Sequence, residues 1–194
     1  FVFLLLLVGL AVAGWFVLPG LLNDGDGGDY NYQDRSEIQD IIDSAQKRAD
    51  KGNYEEALLK IEEGLKNYPA SNSLKDKADE YRDQIKKEML AKAEEYATAG
   101  NYLSAMTVIE SAQKTYGNNH DYEEAYDMYQ KAHLAQVKKN TLDEAAAYAA
   151  KGDYASAVTV IKSAMQTYGE DPDYVAAYNT YNKELQTQEK KETL

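Results

Sequence analysis

Carboxylates come in adjacent pairs along this chain: Glu55-Glu56, Glu62-Glu63, Glu94-Glu95 and Glu123-Glu124. Two carboxylates facing each other across a cleft, one with a raised pKa, can hydrolyse a glycosidic bond. On an amphipathic helix, however, adjacent acids are normally a solvated face. His120 and His133 are the only histidines, and neither lies near a plausible triad or metal cluster; cysteine is absent, which removes disulfides and thiolate metal sites. His133 replaces an apolar residue in a repeating stripe, the setting of a packed histidine rather than a ligand. Asp24 and Asp26 suggest a calcium loop, but Gly28 and Arg35 stand where that loop needs ligands. No Gly-rich phosphate loop, nucleophile elbow or HExxH run occurs. The expectation is a protein that is not an enzyme, with no catalytic residues, cofactor or metal.

The other chemical asset is tyrosine, 17 residues against three Phe and one Trp. Tyr122, Tyr126, Tyr129, Tyr174, Tyr178 and Tyr181 stand at fixed repeat offsets. Such rings can pack between helices with the hydroxyl reaching water. They can also face a groove and hold a peptide or a sugar.

What positions these residues is a line written three times. GDYASAVTVIKSAMQTYG, from Gly152 to Gly169, matches GNYLSAMTVIESAQKTYG, from Gly100 to Gly117, at 12 of 18 places, and a looser copy begins at Gly52. Tyr154, Ala157, Val158, Ile161, Ala164, Met165 and Tyr168 fall at offsets 0, 3, 4, 7, 10, 11 and 14, the stripe of an amphipathic helix. Asn53, Asn101 and Asp153 occupy the N-cap position, and Glu56 completes a capping box for Asn53. No Gly or Pro interrupts residues 71–99 or 118–151, which predicts long helices, each packing one half on the preceding short helix and the other on the next. The period is 48 residues and then 52, and four extra residues make about one helical turn. Thr141 with Glu144 offers a capping box that would restart a helix near Asn140, so both a continuous and a broken helix fit.

Residues 1–22 carry no charge. As a helix they would span roughly 33 Å, against about 30 Å of hydrocarbon. Ala11-Val12-Ala13 resembles a signal-peptidase site, but the apolar run continues through Leu18, favouring an uncleaved transmembrane helix. The chain opens at Phe1 without Met, and a longer protein is expected whose preceding residues hold the basic flank. Residues 23–35, rich in Gly and Asp, read as a flexible tether. No Lys or Arg precedes Arg35, which places residues 36–194 on the extracytoplasmic side of a single-pass membrane protein. The net charge of −12 lies beyond the uncharged segment; it disfavours nucleic acid and suits a basic or neutral partner.

The copies, each with the helix before it, resemble tetratricopeptide repeats, an α-solenoid family of paired antiparallel helices in units of about 34 residues. First helices carry Ala45 and Ala49, Ala93 and Ala97, Ala145 and Ala149; the turn is Gly52/Tyr54, Gly100/Tyr102 and Gly152/Tyr154; second helices carry Ala57, Ala105 and Ala157. Pro69 closes the first unit, and Gly117 and Gly169 replace it later. The longer period departs from the family by about half a unit of helix. The resemblance implies an all-α solenoid of three hairpin repeats (about 37–85, 86–136 and 137–185) with elongated alternate helices and a polar C-terminal cap.

It also implies a binding face on the first helices, here Ile42 and Gln46, Leu90 and Glu94, Leu142 and Ala146. These lack the Lys, Arg and Asn that family members use to clamp a peptide carboxylate, so an apolar or basic peptide suits the surface better. The expected function is a membrane-anchored scaffold for protein or peptide partners. Two other classes stay open: a cell-envelope glycan binder using the tyrosine rows, and a spacer or oligomerisation element serving a preceding module.

Overall fold

The computed structural model describes residues 30–192, so the expected transmembrane segment 1–22 lies outside the described residues. Every regular element among the described residues is an α-helix: α1 (Tyr32–Ala49), α2 (Tyr54–Asn67), α3 (Asn72–Thr98), α4 (Tyr102–Tyr116), α5 (His120–Ala150), α6 (Tyr154–Tyr168) and α7 (Pro172–Glu192). None of these helices is long and apolar enough to cross a membrane. Two compact units divide at Arg82/Asp83, inside α3. The first holds α1, α2 and the start of α3; the second holds the rest.

Helix α1 begins inside the segment expected as tether. Asn31 and Asp34 form a capping box: the Asn31 side chain accepts from Gln33 N (2.8 Å) and Asp34 N (3.0 Å), and the Asp34 carboxylate accepts from Asn31 N (3.1 Å). Tyr30 is pinned just before it. Its hydroxyl accepts from Ala70 N at 3.0 Å, and its ring meets Tyr68 edge-on at 5.6 Å.

The turn between paired helices is the same structure three times. Gly52, Gly100 and Gly152 have φ of 81°, 77° and 76°. In each, the glycine N–H donates to the residue three back and the next N–H to the residue five back: Gly52 to Ala49 (2.8 Å) and Asn53 to Arg48 (3.1 Å), Gly100 to Ala97 (2.9 Å) and Asn101 to Tyr96 (2.9 Å), Gly152 to Ala149 (2.9 Å) and Asp153 to Tyr148 (3.1 Å). These bonds satisfy carbonyls that a helix end leaves open, and the left-handed residue they require is one that glycine adopts without a Cβ clash. The residue after the glycine is also the N-cap of the following helix. Asn101 accepts from Ser104 N (3.2 Å) and Asp153 from Ser156 N (3.0 Å). Asn53 has the same backbone setting but makes no side-chain cap bond, so the Asn53–Glu56 box expected from sequence does not form. Its third helical residue is Glu56, where the later copies have Ser104 and Ser156.

The cores repeat in the same register. Ala57, Ala105 and Ala157 are fully buried, as are Ile61, Ile109 and Ile161. In the second unit, one cluster gathers Ala93, Ala105, Ile109, Ala112, Tyr122, Ala125 and Tyr129, and another Ala145, Ala157, Ile161, Ala164 and Tyr174. Helix α5 supplies both, Tyr122, Ala125 and Tyr129 from its start and Ala145 from near its end. It therefore packs one half on α4 and the other on α6, and its 31 residues run through Asn140 without a break. Thr141 and Glu144 start no new helix. Leu142 is packed against the second cluster, so a break there would uncouple α5 from α6.

Two mutational and chemical outcomes follow from this packing. No atom lies within 4 Å of a Cβ built on Gly152, so Gly152→Ala meets only the left-handed backbone penalty. It should lower stability by about 1–2 kcal/mol in urea unfolding, with Gly152→Asn costing less. Tyr68 is pushed up to about 12 by its hydrogen bond to Glu37 and by burial, and Tyr81 to about 12 by burial and nearby Glu80. Below the ordinary value of 10 both phenols are protonated folded or unfolded, and their stabilising contribution is complete. Between pH 10 and 12 the unfolded chain ionises first, so stability should fall as pH rises through that window. Urea unfolding followed by circular dichroism at a series of pH values should show the midpoint falling between pH 10 and 12.

Candidate functional site

Within the second unit, a cavity of about 580 Å³ opens between the later half of α3 and the earlier half of α5, reaching the first residue of α4. Leu90, Ala97, Tyr102, Ala125, Met128, Tyr129 and Ala132 supply its apolar lining, and Glu94, Asp121 and Glu124 its carboxylates. The local reasons are helical. Leu90, Glu94, Ala97 and Thr98 recur at one-turn spacing on α3, and Asp121, Glu124, Ala125, Met128 and Ala132 do so on α5. The small residues Ala97, Ala125 and Ala132 leave the volume that larger side chains would fill. Met128 is 53% exposed, a large apolar side chain left to solvent at this opening.

An interhelical ion pair ties α3 to α5. Lys86 Nζ stands 2.8 Å from Asp121 and 3.0 Å from Asp83. Hydrogen bonds to those two carboxylates hold the Lys86 ammonium well above its ordinary value, and the same ammonium lowers Asp83. One repeat later, Lys138 on α5 meets Asp173 at 2.6 Å and Asp171 at 3.2 Å, on and just before α7. Bonds to Asp173 and Asp171 raise Lys138, while the Asp173 N–H, outweighing burial, leads the groups that lower Asp171. Lys86 and Lys138 each lie 14 residues before a turn glycine, and Asp121 and Asp173 each lie 21 after one. The pair thus recurs in register between successive long helices.

Of the six positions expected to form one binding face, four belong to the second unit and two to the first. Leu90, half-buried, and Glu94, exposed, share the cavity. Leu142 packs on the following core and Ala146 is exposed one repeat further along. Ile42 and Gln46 belong to the first unit, where Gln46 accepts from Lys77 Nζ and from the Tyr81 hydroxyl, both at 3.3 Å, and donates to Asp50 at 2.7 Å.

The six tyrosines do not make one exposed row. Tyr122, Tyr129 and Tyr174 are buried at 1%, 5% and 2% exposure and offer no face for stacking. Tyr126, Tyr178 and Tyr181 are half-buried, and the Tyr126 hydroxyl donates to Glu110 at 3.0 Å. Burial, reinforced by the Glu94 charge, pushes the Tyr129 hydroxyl up.

Sequence reasoning did not single out Met128, Asp121, Ala125 or Ala132. A signal existed for two members: one residue from each of the acidic pairs Glu94-Glu95 and Glu123-Glu124 lines this cavity. His120 is exposed and His133 half-buried, and among the described residues no group of three or more His, Cys, Asp or Glu could hold a metal ion. No family model, curated protein or solved structure matches this chain.

Proposed function

We propose that this chain is a membrane-anchored scaffold, a tetratricopeptide-like α-solenoid that binds a protein or peptide partner outside the cytoplasm. The single observation that carries the reading is the cavity of about 580 Å³ between α3 and α5, with Leu90, Met128 and Tyr129 in its apolar lining. A concave apolar surface with a few polar groups at its edge is what a short protein segment needs for burial and orientation. The three recurring hairpin turns support the repeat assignment, since stacked hairpins bury through their neighbours a stripe that none buries alone. The uncharged first 22 residues and the absence of Lys and Arg before Arg35 support the anchor and its orientation.

The test is selection from a random-peptide library on the full chain held in lipid nanodiscs. Peptides recovered on the wild type should bind Leu90→Asp and Thr98→Trp at least about tenfold more weakly, a loss of about 1.4 kcal/mol. Thr98 is exposed and lines the cavity, so tryptophan there fills the opening without adding charge. Circular dichroism should match the wild type for both variants. Undiminished binding to Thr98→Trp would remove the site from this cavity.

A further inference from the structure

We infer that the α3–α5 cavity takes a cationic side chain beside an apolar one, so that its occupant is a protein segment in which Lys or Arg flanks a large apolar residue. This rests on the peptide-binding reading of the same cavity. The lining holds three carboxylates and no Lys, Arg or His. Asp121 is already paired with Lys86 at 2.8 Å. Glu94 and Glu124 make no side-chain hydrogen bond or ion pair among the described residues. Two uncompensated carboxylates therefore stand at the edge of an apolar concavity, where a low-dielectric wall on one side strengthens their field.

Consider what each class of occupant would do there. A purely apolar segment would cover Leu90, Met128 and Tyr129, but it would strip water from Glu94 and Glu124 without replacing it. An acidic segment would be repelled. A Lys or Arg side chain does both tasks, laying its methylene stem on the apolar wall while its head reaches a carboxylate in a charge-assisted bond. Met128 suits this, because an unbranched thioether re-packs around irregular stems. A linear polyamine has the same ammonium groups but no apolar side chain to cover Leu90 and Met128, so the inference commits to a protein segment.

The experiment is titration calorimetry on the full chain in zwitterionic nanodiscs with three synthetic peptides of equal length. One carries Lys and Arg around an apolar centre, the second has Glu in place of those cations, and the third keeps the cations but has Ser for the apolar centre. The first should bind, and the second should bind at least about tenfold more weakly. Glu94→Gln combined with Glu124→Gln should shrink that ratio to about threefold or less and flatten the dependence on salt. An unchanged ratio in this double variant would overturn the inference, because discrimination would then come from the net charge of −12 at large. So would the third peptide or a linear tetraamine binding as tightly as the first, or no binding by any peptide. Thr98→Trp separates the two layers. If it abolishes binding while peptide charge makes no difference, the cavity remains the site and only the cationic preference falls. If the basic peptide still binds Thr98→Trp as it binds the wild type, both readings fall.

Discussion

The left-handed glycine between paired helices is the constraint from which the other features follow. A helix ends with unpaired carbonyls, and a following helix starts with unpaired N–H groups. Here four residues serve both ends in the first turn: the chain passes from Ala49 to Tyr54 with Gly52 at φ 81°, and Asn53 donates backward to Arg48 while capping forward by position. Across this turn the paired helices pack on each other, α1 on α2 and α5 on α6. That contact places Ala57, Ala105 and Ala157 at zero exposure in their copies, where a larger residue would push the hairpin apart.

The uneven period finds its place in the same register. Helix α5 has 31 residues and α3 has 27, so the four-residue excess is a turn of long helix. Counted forward from the preceding glycine, Ile85 corresponds to His133; counted back from the next, Lys86 corresponds to Lys138. The extra turn is therefore Leu134 to Val137. It rotates the stripe little, and for that reason the Lys–Asp pair downstream survives unchanged. The inserted turn also has work to do: Gln136 donates to the Gly100 carbonyl at 3.2 Å, bracing the turn between α3 and α4 from the side.

Much of the architecture was legible because it is local. Glycine at a fixed distance after an alanine pair, followed by Asn or Asp, specifies the end of one helix and the start of the next within six residues. Long stretches free of Gly and Pro marked α3 and α5. The start of α1 was hidden by the Gly- and Asp-rich composition around it, although the Asn31–Asp34 box carried the signal. Depth was not legible either. Equal spacing puts Tyr129 and Tyr181 at matching places on their helices, yet Tyr129 is buried and Tyr181 half-buried. Periodicity names a face, while exposure depends on which other helix crosses it. The cavity had the same difficulty, because Glu94 and Glu124 are 30 residues apart and each alone reads as a solvated acid.

The distribution of cations explains how this strongly acidic chain leaves an acidic opening. Positive residues number 21 against 33 carboxylates. Many of the bridging lysines are spent along a single helix, as in Lys60–Glu63, Lys77–Glu80 and Lys139–Asp143, where each pair contributes only a few tenths of a kcal/mol, about 0.2–0.5. Other cations reach across helices, as in Arg82 to Glu62, Lys86 to Asp121 and Lys138 to Asp173. Because Lys86 is held by Asp121 and Asp83 together, it cannot turn toward Glu94 or Glu124 without giving up two partners. The pair that links α3 to α5 thus holds Lys86 on Asp121, leaving Glu94 and Glu124 to whatever charge arrives from outside.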